Sequence, residues 1–226
     1  MEEHLKATLK KLIEQVIETG EAVGSQHLVA KCKLDVSPAT IRNYFVELEE
    51  LGYIMQPHTS SGRLPTEKGY QYYVDNLLKP RALSKKEITE LDGAAKNDAT
   101  DNRRIKALAR CAADLAQNAV VVGLGEADSY YTGLSNLFGQ SEFKDWNRIV
   151  SMSDVLDRLD EVLIKLRQAE FKHPTALIGN ECPFGPMCSS VIVSQPDGSL
   201  IGILGPMRMD YSLSISLIEK ISQLYD

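Results

Sequence analysis

The stretch HTSSGR, residues 58–63, concentrates side chains that suit contact with phosphate groups. Its hydroxyls and the exposed backbone N–H groups of a small turn can donate hydrogen bonds to phosphate oxygens. The arginine at its edge has the charge and reach to enter a narrow minor groove. The predicted contact residues of this turn are His58, Thr59, Ser60, Ser61, Gly62 and Arg63.

A second set of candidate contact residues begins the segment SPATIRNYFVELEELG, residues 37–52. Arg42 can reach guanine O6 and N7, and Asn43 can pair with adenine N6 and N7. Ser37 and Thr40, with the free N–H groups of a first helical turn, suit phosphate contacts. The predicted contact residues of this segment are Ser37, Ala39, Thr40, Arg42 and Asn43.

Helical periodicity places this second set on the outer face of a helix. Ser37 is typical of an N-cap and Pro38 of a first helical position. At about 100° per residue, the apolar side chains share one face and the small and polar ones the other. The pattern by itself fits either a DNA-reading helix or one helix of a small bundle with an ordinary solvated surface. The residues predicted to pack inward are Ile41, Tyr44, Phe45, Leu48 and Leu51.

The neighbouring elements distinguish these two interpretations. Helical spacing predicts a first helix over residues 4–19, and Ser25 is predicted to cap a short second helix. After Gly52, the stretches YIMQ and LPT are predicted strands on either side of the HTSSGR turn, and Thr66 is predicted to cap a helix. This is the element order of a winged helix-turn-helix domain. The turn therefore fits a DNA-contacting wing better than the alternative, a polar hairpin tip of the kind found on many proteins.

The remaining sequence predicts a linker and a second domain. Charged, small and polar residues dominate KPRALSKKEITELDGAAKNDATDNRR, which is typical of a linker with some helix at SKKEITEL. Alternating apolar runs then predict five strands with a hairpin turn at PDG, and helices at 105–118, 152–169 and 211–225. The fold class predicted is α+β, with a winged helix-turn-helix domain at 1–78, a linker at 79–104 and an α/β domain with an antiparallel sheet at 105–226.

Composition limits the classes of function. The 226 residues include 25 Lys and Arg against 31 Asp and Glu, a net charge of -6, so any DNA contact depends on where the charges lie. Four cysteines and four histidines are scattered without metal-ligand spacing, so we expect reduced thiols and no cofactor. No apolar run is long enough for a membrane span and no signal-peptide pattern opens the chain, so we expect a soluble, cytoplasmic protein.

Three stretches that could suggest an enzyme lack the required pattern. GLGEAD, residues 123–128, has neither a GxGxxG nor a GxxxxGK[ST] spacing and fits a turn at a strand end. Cys182 and Cys188 have no histidine near them in sequence, although His173 can approach them in space. Four carboxylates fit the solvated face of the predicted helix better than an acid–base pair; they are Asp154, Asp157, Asp160 and Glu161. We therefore expect no enzymatic activity.

Three segments, in the same order along the chain, resemble the HrcA family of heat-inducible transcription repressors of bacteria. VSPATIRNYFVELEELGYIMQPHTSSGRLPTEKGYQYYVD, residues 36–75, is similar to the family's N-terminal signature. GLSNLFGQSEF, residues 133–143, and IGILGPMRMDY, residues 201–211, are similar to its C-terminal signatures. The resemblance covers nearly all of the predicted DNA-binding domain and part of the second domain, which it implies to be GAF-like.

The resemblance implies a homodimer that binds double-stranded DNA at an inverted-repeat operator, called CIRCE in this family, and represses chaperone genes. It also implies control by a GroEL-type chaperonin, which keeps the repressor competent until heat shock diverts it to unfolded proteins. A two-fold dimer on a palindrome doubles each phosphate contact, which offsets the acidic net charge in part.

The sequence departs from the family pattern at two places. Tyr44 and Phe45 stand where the family usually has an acidic residue and Met. After AADLAQNAVVVGL the chain passes almost at once to GLSNLF, so we expect a reduced GAF-like domain without the family's inserted dimerisation segment. Dimerisation then falls to the predicted helix at 105–118 or to the second domain.

The alternative function belongs to a different class. It is a ligand-sensing winged-helix regulator whose α/β domain binds a small molecule and controls the dimer. This alternative rests on analogy of fold, because GAF-like sheets often hold such pockets.

Overall fold

The computed structural model of the chain describes residues 1–58, 61–96, 101–124, 128–144 and 146–225. The chain divides into two compact units, residues 1–79 and residues 80–226. Within the described ranges, no helix is both long enough and apolar enough to cross a membrane.

The first unit contains four helices and a short two-stranded ribbon. In chain order they are α1 (Glu3–Thr19), α2 (Ser25–Cys32), α3 (Pro38–Glu50), β1 (Ile54–Met55), β2 (Leu64–Pro65) and α4 (Glu67–Tyr72), which continues as a π-helical turn over Tyr73–Leu77. The strands β1 and β2 are antiparallel, with Ile54 opposite Pro65 and Met55 opposite Leu64. The predicted helices and strands are thus confirmed in the predicted order.

An apolar face of α1 forms the centre of the first unit's core. The buried residues recur at helical spacing because one stripe of an amphipathic helix faces its neighbours. They are Leu5, Leu9, Leu12, Ile13 and Val16, packed with Leu28, Ile41, Phe45, Leu48 and Ile54. Leu51 was also predicted to pack inward, but its side chain is 45% exposed. It lies after the last residue of α3, where the chain turns toward β1, so it does not continue the buried face.

Side-chain caps fix where two of these helices begin. The Oγ of Ser37 accepts a hydrogen bond from the backbone N–H of Thr40 at 3.1 Å, and Thr66 does the same for Gly69 at 3.1 Å. Both caps confirm the predicted helix starts. Ser25 was predicted to be a cap as well, but it is the first helical residue of α2. Its hydroxyl instead accepts a hydrogen bond from Arg42 of α3.

The second unit is built on a five-stranded antiparallel sheet. Its helices are α5 (Lys85–Lys96), α6 (Asp101–Ala116), α7 (Leu134–Phe138), α8 (Trp146–Leu156), α9 (Leu159–Arg167) and α10 (Tyr211–Tyr225). Its strands are β3 (Ala119–Leu124), β4 (Asp128–Thr132), β5 (Thr175–Ile178), β6 (Cys188–Ser194) and β7 (Leu200–Pro206), in the spatial order β4-β3-β7-β6-β5. The α+β class with an antiparallel sheet is confirmed for this unit.

Helices cover both faces of this sheet. Successive strand residues point to opposite faces. Val121 packs in a cluster with Leu137, Met152 and Leu163 of α7, α8 and α9, while its neighbour Val120 points to the face where α6 and α10 lie. All six residues of β3 are buried in consequence, and the strand appears in the sequence as a continuous apolar run.

Part of the predicted linker is an integral helix of the second unit. Residues 85–96 form α5, which packs against α6 and α10 and buries Leu91 completely. A capping box begins this helix: the backbone N–H of Ser84 donates to Glu87 at 2.7 Å, and that of Glu87 donates to the Ser84 hydroxyl at 3.3 Å. The linker prediction missed this packing because one fully buried residue in a charged helix gives little apolar periodicity. Residues 97–100 lie outside the described part.

The helix predicted at 152–169 is two helices, α8 and α9, separated at Asp157–Arg158. Apolar side chains of both helices enter the same core cluster, namely Met152, Leu159, Leu163 and Leu166. Their spacing is that of a single helix. Periodicity therefore could not reveal the break, which is a property of the backbone between them.

We predict that Gly133→Ala lowers the free energy of unfolding by about 2–5 kcal/mol. Gly133 has a φ of 76°, and an added Cβ would stand 2.5 Å from the carbonyl oxygen of Asn118 and 2.8 Å from the Cβ of Ala113. Chemical denaturation followed by circular dichroism measures the change. The matched control is Gly93→Ala within α5, where no atom lies within 4 Å of the added Cβ. That variant should gain about 0.5–1 kcal/mol; equal effects of the two substitutions would contradict the structure.

We also predict a pH-dependent contribution of Glu87 to stability. Its carboxylate accepts from Arg81 Nη1 at 3.1 Å and from the Ser84 N–H, and the guanidinium of Arg81, followed by this backbone N–H, lowers the Glu87 pKa from 4.5 to about 2. Because the folded-state pKa is lowered, the stabilisation is present above pH 4.5 and is lost as the pH falls toward 2.

The melting temperature should therefore be lower for Glu87→Gln than for the wild type near neutral pH. The melting temperatures of the two proteins should converge as the pH falls from 4.5 to about 2. Thermal unfolding measured across this pH range tests this expectation, and a gap that does not change with pH would refute it. After allowance for solvent screening we expect a difference of about 1 kcal/mol near neutral pH.

Candidate nucleic-acid interface

The start of α3 is an exposed, polar helix N-terminus. Its first turn is held by Ser37, whose hydroxyl also lies 2.9 Å from the hydroxyl of Thr40. Ser37 and Ala39 are exposed and Thr40 is half-buried. The first backbone N–H groups of any helix lack intrahelical partners, and the helix dipole places positive charge there, so this end can bind an anion such as a phosphate.

Arg42 and Asn43 extend the same face by one turn, and both side chains are exposed. The Nε of Arg42 donates to the Ser25 hydroxyl at 3.3 Å, which brings the start of α2 beside the first turns of α3. No carboxylate pairs with Arg42 in the part of the chain that the structure describes. The guanidinium is therefore positioned by a weak neutral contact and keeps free donors on an exposed helix face.

The acidic residues of α3 lie at its other end. Glu47 and Glu50 are exposed, and Glu49 is half-buried. The Arg63 guanidinium neutralises Glu49, with its Nη2 at 3.1 Å from Oε2 and its Nε donating to the same oxygen at 3.1 Å. The positive end of the helix thus coincides with Arg42 and Asn43, and the negative charge lies away from it.

The tip of the ribbon is a tight turn closed by Ser61. The backbone N–H of Ser61 donates to the carbonyl of His58 at 2.9 Å, and the Ser61 hydroxyl accepts from the N–H of His58 at 3.0 Å. Ser61 was predicted to contact phosphate through this hydroxyl, but the hydroxyl is engaged within the turn. His58 is exposed. Thr59 and Ser60, which carry the other predicted hydroxyls, lie outside the described residues.

The Arg63 side chain lies against α3 in this structure, and its predicted contact with a minor groove stays a prediction. Its side chain is 17% exposed and paired with Glu49. Its backbone forms a bridge with Val23, through hydrogen bonds of 2.9 and 3.0 Å in both directions. The ion pair of Arg63 and Glu49 lies between the ribbon and α3. Arg63 therefore connects these two elements.

Gly62 also has a structural reason for its residue type. A Cβ at this position would stand 2.4 Å from the backbone carbonyl carbon of Val23. Any side chain here would separate the ribbon from the segment between α1 and α2. Glycine is needed here because two backbones meet, and its predicted contact with phosphate stays a prediction.

Sequence reasoning missed Ser25 and Glu49 as parts of this surface. Each is separated from its partner by more than a dozen residues: Ser25 from Arg42 by 17 positions and Glu49 from Arg63 by 14. No local spacing joins such pairs. The one signal that could have indicated the pair of Arg63 and Glu49 was charge. Arg63 is the arginine of the predicted ribbon, and α3 carries three glutamates near its end.

The second unit contains an apolar cavity of about 370 Å³. It lies between α8, the 3-10 turn at Ser141–Phe143, and the turn that precedes β6. Phe143 and Met152 line it on the helical side, and Phe184, Met187 and Cys188 on the side of the sheet. Val155 completes the helical wall.

The groups considered for catalysis do not form a site in the described residues. Burial raises the pKa of the Cys182 thiol to about 11 and that of the Cys188 thiol to about 12, so both stay protonated near neutral pH. His173 is exposed, whereas both thiols are buried. The four carboxylates considered in this region, Asp154, Asp157, Asp160 and Glu161, are all exposed, as predicted for a solvated face. No cluster of potential metal ligands occurs among the described residues.

Comparisons with solved structures support the fold. A crystal structure described only as a hypothetical protein has a TM-score of 0.78 to this chain, with 16% sequence identity, over 100% of this chain and 98% of that one. At this identity the similarity concerns the architecture alone.

Comparisons with curated sequences identify relatives over part of the chain. The heat-inducible transcription repressor HrcA of Thermobifida fusca is 49% identical over 114 residues, which are 49% of this chain and 33% of that protein. The heat-inducible transcription repressor HrcA of Pelotomaculum thermopropionicum is 51% identical over 87 residues, or 38% of this chain and 25% of that protein. The matched regions thus span a third or less of these relatives.

A family model extends the relationship across most of the second unit. The model of the HrcA protein C-terminal domain matches residues 73–215, which include α5, the whole five-stranded sheet and the start of α10. The match covers more than half of the chain. Together with the sequence relatives, it shows that this chain belongs to the HrcA family.

Proposed function

We propose that the chain is a DNA-binding transcriptional repressor of heat-shock (chaperone) genes, with residues 1–78 as a winged helix-turn-helix domain. The observation that carries this proposal is the exposed N-terminal face of α3 with Arg42 and Asn43, on a helix whose other end is joined to the ribbon by the pair of Arg63 and Glu49. In such domains the second helix of the motif enters the major groove with its first turns against the bases.

Each part of this surface has a separate role in the proposal. Ala39, Arg42 and Asn43 meet base edges, and Ser37 and Thr40 meet phosphate through the first helical turn. His58, with the tip residues that follow it, approaches the neighbouring backbone. Arg63 acts from behind the surface, because it holds the ribbon at the correct angle to α3. This division replaces a groove-inserting arginine by a positioning one.

A dimer answers the unfavourable net charge. Two copies on an inverted-repeat operator of the CIRCE type double the number of phosphate contacts, while the acidic residues of each α3 stay at the far helix end. Repression of this kind acts on DNA in the cytoplasm. The relatives are named heat-inducible, and we propose that a GroEL-type chaperonin supplies the temperature control, as the family resemblance implies.

We predict that Arg42→Ala weakens binding to the inverted-repeat operator by about 1–3 kcal/mol, or roughly 5- to 150-fold, and reduces the preference for operator over scrambled DNA. The reason is the loss of two hydrogen bonds to one guanine. Gel-shift titration of the wild-type and variant proteins at a fixed salt concentration measures both effects.

The matched control for this experiment is Arg103→Ala, which removes an exposed arginine from α6 of the second unit. It should leave operator affinity and specificity unchanged. The mass of the complex, measured by light scattering with and without operator, should correspond to two chains per operator. Binding of scrambled DNA as tightly as operator by both the wild type and Arg42→Ala would refute the proposal, and a monomer in both conditions would refute the dimer.

We further predict that Ser37→Asp separates helix stability from DNA binding. Aspartate caps a helix as well as serine does, so the melting temperature should stay within about 2 °C of the wild-type value. Its negative charge beside the phosphate backbone should lower operator affinity by tenfold or more at low salt, with a smaller deficit at high salt. Ser37→Asn keeps the cap without the charge and is the control. Equal losses in the two variants would show that charge at this position is not what matters.

A second candidate function is a ligand-sensing winged-helix regulator, and the cavity of the second unit favours it. Its volume of about 370 Å³ lies within the range of small-molecule sites in proteins. In this case ligand occupancy of the second unit, rather than a chaperonin alone, controls the DNA-binding dimer. Concentration-dependent stabilisation by a small molecule is the expected signature.

A further inference from the structure

The walls of the cavity come from three separate segments of the second unit. The 3-10 turn contributes Phe143, α8 contributes Met152 and Val155, and the turn before β6 contributes Phe184 and Met187. A concave space between a helix and a sheet can enclose a ligand on several sides, whereas a flat apolar surface cannot. The concave shape therefore favours a small molecule as the occupant.

Several polar backbone groups of the turn before β6 form hydrogen bonds within the protein. The N–H of Gly185 donates to the carbonyl of Cys182 at 3.1 Å, and the N–H of Cys188 donates to the carbonyl of Gly185 at 3.0 Å. The carbonyl of Met187 accepts from the N–H of Met207 at 3.2 Å. A ligand that needs several hydrogen bonds would compete with these internal ones, so the turn offers mainly apolar contact.

The described lining of the cavity favours uncharged ligands. Among the side chains that the structure describes around the cavity, none is Lys, Arg, Asp or Glu. The described lining includes the Cys188 thiol, whose pKa is raised by burial, so it stays neutral. A carboxylate or ammonium group placed against Phe184 and Met187 would lose part of its hydration without gaining a partner from either side chain, which is unfavourable.

Two features favour rings or branched chains as occupants. Phe143 and Phe184 offer aromatic faces and edges that stack with other rings. Met152 and Met187 have unbranched, polarizable side chains that adapt to the outline of a bound molecule. Thioether and aromatic groups contact each other favourably as well, so an aromatic ligand would find partners on both walls.

We propose that this cavity binds one uncharged, largely apolar small molecule of about the size of two or three rings. The proposal rests on the second candidate function and names its ligand class. A bound molecule would connect the 3-10 turn and α8 to the start of β6. Because these elements meet around the cavity, occupancy should stabilise the second unit as a whole.

A pair of fluorescent probes tests the charge requirement on the full-length wild-type chain. N-phenyl-1-naphthylamine is uncharged, and 8-anilino-1-naphthalenesulfonate has the same ring system with an added sulfonate. We expect saturable, one-site binding of the uncharged probe and at least tenfold weaker binding of the sulfonate. Trp146 is the single tryptophan of the chain and lies on α8 with Val155, so energy transfer from Trp146 to the probe provides a second signal for binding.

Variants that fill the cavity from opposite walls test the site itself. Val155→Phe and Met187→Phe should each weaken binding of the uncharged probe at least tenfold, while Ile164→Phe, an exposed position on α9, should leave it unchanged. Equal affinity for the two probes, or full affinity in both filled variants, would overturn the proposal. The probe comparison on the wild type needs no variant, so it stands even if a substitution impairs folding.

A gel shift on the same protein samples separates this proposal from the proposed function. Probe binding is measured without DNA. Loss of operator binding with intact probe binding would refute the repressor function and leave the ligand site, and the reverse result would refute the ligand site alone.

Discussion

The arrangement of the first unit depends on the close approach of two backbones, at Val23 and at Gly62–Arg63. A ribbon of two residue pairs is far too short to be stable by itself in water. It is held by the paired hydrogen bonds between Val23 and Arg63, which are possible because Gly62 has no side chain to separate the strands. The segment between α1 and α2 thereby fixes the ribbon. In turn, the pair of Arg63 and Glu49 fixes the ribbon to α3.

This constraint explains why the residues best suited to DNA chemistry are divided between two tasks. Ser61, Gly62 and Arg63 hold the ribbon in place, while Ser37, Arg42 and Asn43 remain exposed on the helix that the ribbon accompanies. A partly buried ion pair contributes modestly to stability, but it restricts the angle between the elements that it joins. A rigid base behind an exposed helix face is what a sequence-reading surface requires, because base contacts need their donors in fixed positions.

The second unit is organised by a different constraint, the burial of both faces of its sheet. Helices α6 and α10 lie on one face and α7, α8 and α9 on the other, so the central strands β3 and β7 are buried along their whole length. The ion pair of Glu142 and Arg208 ties the 3-10 turn beside the cavity to the residues after β7. The cavity lies between α8, the 3-10 turn at Phe143 and the turn at Phe184. It is a consequence of how these short elements meet, and no single segment contains its outline.

The sequence by itself determined the features that depend on neighbouring residues. Helix starts at Ser37 and Thr66 follow from one side chain and the N–H three residues later, and the strands and helical stripes follow from periodicity. Only the tertiary structure decided the partners that are distant along the chain. It paired Arg63 with Glu49 and Arg42 with Ser25, packed α5 into the second unit, and enclosed the cavity. The physical reason is that capping and periodicity act within a few residues, whereas an ion pair, a backbone approach or a cavity exists only after the chain has brought remote segments together.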